Sequence, residues 1–268
     1  MYSMDSAVRT NKGNIRENNE DNFHIHDTYA EIEEADAGCA YRKSSSDDYQ
    51  IYAVCDGMGG GDYGEAAAYA VVSNLNRLQS LMKARGKAPP SERIKSFLGE
   101  MSATCRETAD EIDPGGIGGG CALCMVCISK KHIYIANAGD SRIYLWQNKK
   151  ITQLTYDHTY AQLLYSNGEI SKESVADHPQ NNVLVQYMGM PEDYRFDPYV
   201  SEPFKIRKGD MFILCSDGLT DMVGDEAIAE KLSLPGDPAD ICKSLVCEAL
   251  ANGGSDNVTV MVVKCVHC

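Results

Sequence analysis

An apolar segment typical of a β-strand is followed at once by an aspartate beside glycine or serine at three separate places in the chain. These places are Ile51–Cys55 before Asp56-Gly57, Ile133–Ala138 before Gly139-Asp140-Ser141, and Phe212–Cys215 before Ser216-Asp217-Gly218. Two related acidic groups stand where strands begin, namely Asn19-Glu20-Asp21 before Phe23 and Ser255-Asp256-Asn257 before Val258. Because one strand ends where its antiparallel neighbour starts, all five groups can share one edge. If they do share it, the fold brings distant strands together.

The remaining pattern predicts antiparallel sheets with helices packed outside them, since tight turns join most neighbouring strands. The predicted strands are Tyr49–Cys55, Ala122–Ile128, Ile133–Ala136, Arg142–Trp146, Met211–Cys215 and Val258–Val266. The predicted helices are Gly64–Arg85, Ser91–Ile112 and Asp237–Ala251. The breaker Gly86 and the pair Pro89-Pro90 separate the first two helices, so we expect these helices to form an antiparallel hairpin.

The turn signals recur along the whole chain and mark no boundary, which predicts one domain over residues 1–268. The segment Asp157–Gly189 differs, with a helical start and then Gly168 and His178-Pro179, and we assign residues 155–190 to a mobile flap subdomain. The polar and acidic stretch Asp27–Asp48 is expected to be an exposed hairpin loop with no part in the core.

The net charge of −14 disfavours nucleic acid or an anionic membrane as the main partner, because both repel an acidic surface. Most of the acidic excess is expected on a solvated face, and part of it can hold cations. No segment approaches the roughly 20 apolar residues of a membrane span, and the start, Met1–Thr10, lacks the apolar stretch of a signal peptide. We therefore expect a cytoplasmic protein, and a monomer.

Eleven cysteines in a chain of this kind are expected to be reduced thiols. The spacing of Cys121, Cys124 and Cys127 suggests a metal site at first sight. Residues three apart in a strand alternate between faces, so these thiols cannot converge. We predict small buried apolar side chains instead.

Convergence of the five acidic groups would need compensation, since two carboxylates about 4 Å apart repel by about 4 kcal/mol at an effective dielectric of about 20. Protonation or a salt bridge can compensate for one pair. Five or six oxygen ligands with few basic neighbours suit hard divalent cations, which favours two Mg²⁺ or Mn²⁺ ions. The alternative is that each Asp-Gly is an independent turn. The recurrence at separate strand ends favours convergence.

The same motifs, in this order, resemble those of the PPM family, the protein phosphatase 2C-like metal-dependent Ser/Thr phosphatases, in their bacterial form. The motifs are Arg16-Glu-Asn-Asn-Glu20-Asp21, Asp56-Gly-Met-Gly-Gly60, Gly139-Asp-Ser-Arg142, Ser216-Asp-Gly-Leu-Thr-Asp221 and Asp256-Asn257. Between them, the flap segments Leu154-Thr-Tyr-Asp-His158, Gly168-Glu-Ile170, His178-Pro179 and Met188-Gly189 agree with the family as well.

The resemblance implies an αββα sandwich, two antiparallel sheets flanked by helices, with a centre of two Mn²⁺ or Mg²⁺ ions at one end. Asp56 would bridge both ions, and Asp217 with Asp256 would complete one of them. Glu20 and the carbonyl of Gly57 would serve the other ion. Asp21 would act from behind these ligands, and Asn257 would orient Asp256. Asp140, together with Asp217, would hold a third, weaker ion.

By the same resemblance, the expected reaction is hydrolysis of phosphoserine and phosphothreonine on proteins, opposing a Ser/Thr kinase. Two ions about 3.5–4 Å apart would lower the pKa of a shared water towards about 7 and supply the attacking hydroxide. Arg16 would clamp the phosphate with its planar guanidinium group. The alternative for Arg16 is a surface salt bridge with Glu17 or Glu20.

Some points depart from the family or stay open. Met58 stands where eukaryotic relatives carry a histidine proposed as the general acid, so the proton donor is unassigned and water or His158 could serve.

The glycines at 57, 59, 60 and 61 could indicate a nucleotide loop, but no Lys-Ser or Lys-Thr follows them. A binding module that has lost catalysis, and a phosphatase of small metabolites, are the other two functions considered.

Overall fold

The computed structural model of the protein describes residues 1–59, 63–84, 88–112 and 119–268. The predictions that concern Gly60, Gly61, Arg85 and Gly86 lie outside these residues. The strands are β1 Ser3–Asn11, β2 Asp21–Ile25, β3 Thr28–Tyr29, β4 Ala40–Ser45, β5 Tyr49–Met58, β6 Gly120–Ser129, β7 His132–Ala138, β8 Arg142–Gln147, β9 Lys150–Gln153, β10 Tyr199–Val200, β11 Met211–Cys215 and β12 Val258–His267. The helices are α1 Ile32–Ala37, α2 Tyr63–Lys83, α3 Pro90–Ile112, α4 Tyr160–Ser166, α5 Asp217–Thr220, α6 Asp225–Ser233 and α7 Pro238–Ala251.

The strands form two six-stranded sheets in which every pairing is antiparallel within the described chain. One sheet has the order β4-β1-β12-β11-β8-β9, and the other has the order β10-β7-β6-β5-β2-β3. A buried apolar layer joins the inner faces, with large side chains such as Phe23, Tyr52 and Phe212. The two sheets therefore form a sandwich.

The outer face of each sheet is covered by helices. Val71, Leu75 and Leu78 of α2 lie at helical spacing on one face and pack, together with α3, on the sheet that contains β5 and β6. Helices α5 to α7 cover the other sheet, with Leu245 and Val246 of α7 buried. The predicted αββα arrangement is confirmed.

The strand β6 shows why the three cysteines bind no common metal. Cys121 and Cys127 pack against the helices, whereas Cys124 lies between the two sheets. The prediction of small buried side chains on alternating faces is confirmed.

The prediction of an exposed hairpin loop over Asp27–Asp48 is wrong. The acidic residues Glu31 and Glu34 form a capping box that begins α1, and β4 pairs with β1 at the edge of a sheet. The exposed alternation of β4 is that of an edge strand with one solvated face, a pattern that its polar composition hides.

The segment after β9 carries α4, and backbone hydrogen bonds connect it to the sandwich. Cys121 of β6 exchanges two backbone hydrogen bonds with Met188, at 2.9 and 3.0 Å. The division into one domain with a flap at residues 155–190 stays a prediction. None of the helices described is long and apolar enough to cross a membrane.

Candidate active site

A cavity of about 260 Å³ lies at one end of the sandwich and collects side chains from distant parts of the chain. Its lining includes every predicted metal ligand, namely Glu20, Asp56, Gly57, Asp140, Asp217 and Asp256, and also Arg16 and Asn257. The side chains come from both sheets, because Asp56 lies on β5 while Asp217 and Asp256 adjoin β11 and β12. The fold thus brings residues of all five acidic motifs to one cavity.

Asp56 lies within β5 and not in a turn after it, which differs from the expectation. Backbone pairing continues through Met58 because the ladder does not depend on side-chain polarity. Asp21 of β2 stands directly opposite Asp56 in the antiparallel register. Two acidic residues at such a position destabilise a sheet unless something neutralises them.

Asp217 is the first residue of the short helix α5, directly after Ser216. The hydroxyl of Ser216 donates to Asp21 Oδ2 at 2.7 Å and accepts from the backbone N–H of Thr259 at 3.0 Å. This chain of hydrogen bonds fixes the end of β11 against β12 and places Asp21 behind the cavity.

Asp140 owes its position to Gly139, whose φ of +114° suits glycine. A side chain at Gly139 would lie 2.3 Å from the Cβ of Ala122, so the turn also needs the small residue for space. His158 holds this turn from the other side. Its backbone N–H donates to the Gly139 carbonyl at 3.0 Å, and its Nδ1 accepts from the Gly139 N–H at 3.2 Å.

The environment of His158 favours a supporting role over that of a general acid. Nδ1 accepts a hydrogen bond from Gly139, which leaves the proton of the neutral ring on Nε2. Burial lowers the pKa of His158 and so keeps the ring neutral. The proton donor for a leaving group stays unassigned.

Asn257 connects two acidic motifs. Its Oδ1 accepts from the Glu20 backbone N–H at 2.8 Å, and its own backbone N–H donates to Asp256 Oδ1 at 2.8 Å. The Asn257 amide group also donates to the carbonyls of Lys12 and Asn18. Arg16 lies beside the same group, with its guanidinium 2.7 Å from Asp256 Oδ2.

The first turn of α2 comes very close to the cavity wall. A Cβ at Gly57 would lie 2.2 Å from the Gly64 carbonyl oxygen, and a Cβ at Gly64 would lie 2.3 Å from Glu20 Oε2. At Gly57 the close atoms belong to the backbone, so only glycine fits there, whereas a Cβ at Gly64 would displace the Glu20 carboxyl group. These contacts bring the Glu20 carboxyl next to the Gly57 backbone.

Ionisation is unfavourable for four of the carboxyl groups that line the cavity, those of Glu20, Asp56, Asp140 and Asp217. Burial, followed by the charges of Asp217, Asp21 and Asp140, raises the pKa of Asp56 well above its ordinary value. Burial and the charge of Asp140 raise the pKa of Asp217 to about 8. Burial raises the pKa of Glu20 to about 7 and that of Asp140 to about 6. A positive charge placed among them would restore the ionised forms.

These residues suit hard cations for which the protein side chains supply only part of the ligand shell. Asp21 Oδ1 is buried without a hydrogen-bond partner, so the site has an unsatisfied oxygen as well as opposed carboxyls. Within the described ranges, no three His, Cys, Asp or Glu side chains stand close enough to hold an ion by themselves. Backbone carbonyls and water would have to complete each shell, which is how Mg²⁺ is usually bound.

A family model for protein phosphatase 2C matches residues 11–164. A serine/threonine phosphatase, stp, of Listeria welshimeri is 32% identical over 97% of this chain and 96% of its own length. The chain belongs to the protein phosphatase 2C family. It is therefore a protein-serine/threonine phosphatase, and the predictions of family and enzyme class are confirmed.

Solved structures of the protein phosphatase 2C family agree with the fold over almost all of the chain. The Mycobacterium tuberculosis serine/threonine phosphatase PstP/Ppp has a TM-score of 0.75 at 29% identity and covers 99% of this chain and 100% of its own. The catalytic domain of PstP in complex with two manganese ions has a TM-score of 0.77 at 28% identity, with coverage of 99% and 100%. The prediction of a centre of two Mn²⁺ or Mg²⁺ ions is confirmed.

The cavity also contains residues that the motifs did not reveal. Asn182 and Leu184 of the flap segment line it, and no local pattern marks them because only the fold brings the segment there. Asp221 is not part of this lining, but its charge adds to those of Asp140 and Asp217. It ends the motif Ser216-Asp-Gly-Leu-Thr-Asp221, four residues from Asp217 on one face of a helical turn, and the sequence analysis assigned it no role. The individual roles of the site residues stay predictions.

Proposed function

We propose that this chain removes phosphate from phosphoserine and phosphothreonine of proteins at the cavity that Asp56 and Asp217 line. The observation that supports this most is the gathering of carboxyl groups with raised pKa in one small cavity, reached from both sheets. Membership of the protein phosphatase 2C family supports the same reaction.

We assign the metal ligands as the sequence predicts them. Asp56, Asp217 and Asp256 would hold one Mn²⁺ or Mg²⁺ ion with the help of water, and Asp56, Glu20 and the Gly57 carbonyl would hold a second. Asp140 with Asp217 would hold a third, weaker ion. When bound, the ions supply a water acidic enough to attack phosphorus at neutral pH.

The residues around the ligands position the substrate and the carboxyl groups. Arg16 uses one terminal nitrogen for Asp256, and its other N–H groups make no hydrogen bond within the described chain, so they can receive a phosphate. Its side chain is 53% exposed and can reach a group that enters from solvent. Asn182 and Leu184 form the wall that a phosphorylated peptide would pass.

Hydrolysis of an aryl phosphate with Mn²⁺, compared with the same assay in EDTA, tests the proposed chemistry. Full activity in EDTA contradicts the metal mechanism, and no activity with any divalent cation favours a binding module. A panel of phosphothreonine peptides, sugar phosphates and nucleotides then tests the substrate class. A large preference for one of the small metabolites would overturn the choice of proteins.

We further propose that the protein works in the cytoplasm as a monomer and opposes a Ser/Thr kinase. Fractionation of cells tests the location, and light scattering of the purified chain tests the oligomeric state. Phosphoproteomics of a strain that lacks the protein tests the kinase relationship. An unchanged level of phosphoserine and phosphothreonine would contradict it.

A further inference from the structure

A second and larger cavity, of about 810 Å³, lies at the opposite end of the sandwich. It is bounded by Tyr49 at the start of β5, by the turn between β6 and β7, and by the facing ends of α2 and α3. A volume of this size suits a small-molecule ligand. We call it the basic cleft, for the charges of its lining.

The charges of the basic cleft are opposite to those of the whole chain. The cations of its lining are Lys83, Arg93, Lys130 and Lys131, and Asp48 is the one carboxylate among its described lining residues. The chain as a whole has a net charge of −14. A local excess of cations in such a protein creates a positive potential that the net charge conceals.

Within the described chain, the side chains of Lys130 and Lys131 make no hydrogen bond or ion pair, whereas Lys83 donates to Gln79 Oε1 at 3.0 Å. None of the ion pairs among the described residues involves Lys83, Lys130 or Lys131. Lys130 and Lys131 occupy the tight turn between β6 and β7, where Ser129 pairs with His132. Arg93 differs, because it donates to the carbonyls of Leu81, Ala84 and Ala88 and joins α2 to α3.

The floor of the basic cleft is apolar and partly aromatic. Met82 and Tyr134 are each 5% exposed and belong to the core beneath, and Tyr49 packs beside them. A free phosphate would contact the cations but would leave this apolar floor exposed to water. A ligand that carries phosphates on an aromatic body would use both parts.

The geometry points to a binding site for a nucleoside polyphosphate in the basic cleft. The phosphates would lie against Lys83, Lys130 and Lys131, and the base would pack on Tyr49 and Met82. This inference does not depend on the proposed function, because the two cavities share no lining residue.

Titration of the full chain with ATP by calorimetry, in EDTA to prevent hydrolysis, tests the inference. The test variant is K130E–K131E, and the matched control is K149E–K150E, where Lys149 lies in the turn after β8 and Lys150 begins β9, both outside the cleft. Each variant changes the net charge by −4, from −14 to −18, so both alter the overall charge equally. Circular dichroism and Mn²⁺-dependent activity check that both variants fold.

We expect K130E–K131E to weaken ATP binding about tenfold or more and the control to change it less than about twofold, because direct charge contacts exceed general charge effects. We also expect ATP to bind more tightly than tripolyphosphate, which lacks the base. Absence of saturable ATP binding, or an equal loss in both variants, would overturn the site. Equal affinity for tripolyphosphate would overturn the role of the aromatic floor.

Discussion

The two ends of the sandwich carry opposite charges although the same strands connect them. Strand β5 begins at Tyr49 in the basic cleft and ends at Met58 beside the acidic cavity, a span of about 30 Å at about 3.4 Å per residue. One end crowds carboxyl groups into about 260 Å³, and the other spreads cations around about 810 Å³.

The difference between the ends concerns how much each depends on a bound partner. The acidic carboxyls are withdrawn from water and face one another, so their ionised forms need a cation. Lys130 and Lys131 are exposed and remain solvated without a ligand. The net charge of −14 therefore describes neither end. It disfavours anionic partners for the molecule as a whole, but not at the basic cleft.

The largest expected effect is on catalysis at the acidic end. Asp217→Asn should lower Mn²⁺-dependent turnover about a thousandfold or more, because a neutral amide is a poor ligand for a hard cation. Asp48→Asn, at the basic cleft, should leave turnover unchanged. Steady-state kinetics on an aryl phosphate measures both variants. Wild-type turnover in Asp217→Asn would contradict the claim that catalysis depends on the acidic end.

Arg16 is the exception at the acidic end, since it is a cation that the cavity uses. Arg16→Ala should lower kcat/KM on a phosphopeptide about a hundredfold, and Arg16→Lys should restore little, because lysine lacks the planar pair of donors. Arg77→Ala is a matched control, with the same 53% exposure and an ion pair to Glu100. Equal effects of the two alanine variants would mean that Arg16 only forms a surface salt bridge and does not bind the phosphate.

The stability of the metal-free protein should depend on pH through the acidic end. Burial raises the folded-state pKa of Glu20 and Asp21 to about 7 and that of Asp217 to about 8, so the folded state holds more protons than the unfolded state. Stability is therefore lost as the pH rises through these values, by up to about 1.4 kcal/mol per pH unit for each group.

Thermal unfolding in EDTA from pH 6.5 to 8 measures this loss. The lower limit avoids His24, whose pKa burial lowers to about 4 and whose contribution acts in the opposite direction below pH 6.5. We expect the midpoint to fall across this range and Mn²⁺ to remove the fall. A midpoint that stays level or rises in EDTA would show that ionisation of these carboxyl groups does not destabilise the folded state.

The smallest effect is expected for charge changes at the basic end. K130E–K131E should alter the free energy of unfolding by no more than about 0.5 kcal/mol, because both side chains are exposed and unpaired in the described chain. Urea unfolding at one pH measures this change. A loss above about 2 kcal/mol would mean that the turn supports the fold, which contradicts its assignment as a binding surface.

The sequence predicted the long helices α2, α3 and α7, the strands β5 to β8, β11 and β12, and the acidic edge, because apolar periodicity and Asp-Gly turns are local signals. The inner strand β1 and the short helices α1, α5 and α6 were not predicted. Helix α3 begins one residue from its predicted start, and β11 has its predicted bounds. The edge strand β4 was missed because its exposed polar face masks the alternation. Asn182, Leu184 and the basic cleft could not be predicted, since their neighbours are distant in sequence and carry no motif.

A diffraction experiment on Mn²⁺-soaked crystals, with data collected at the manganese absorption edge, tests the central claim most directly. We predict two anomalous peaks about 3.5–4 Å apart in the cavity, with the carboxyl group of Asp56 contacting both. Asp217 and Asp256 should lie at the same peak. An occupied site elsewhere, or Asp56, Asp217 and Asp256 with no manganese in common, would contradict the claim.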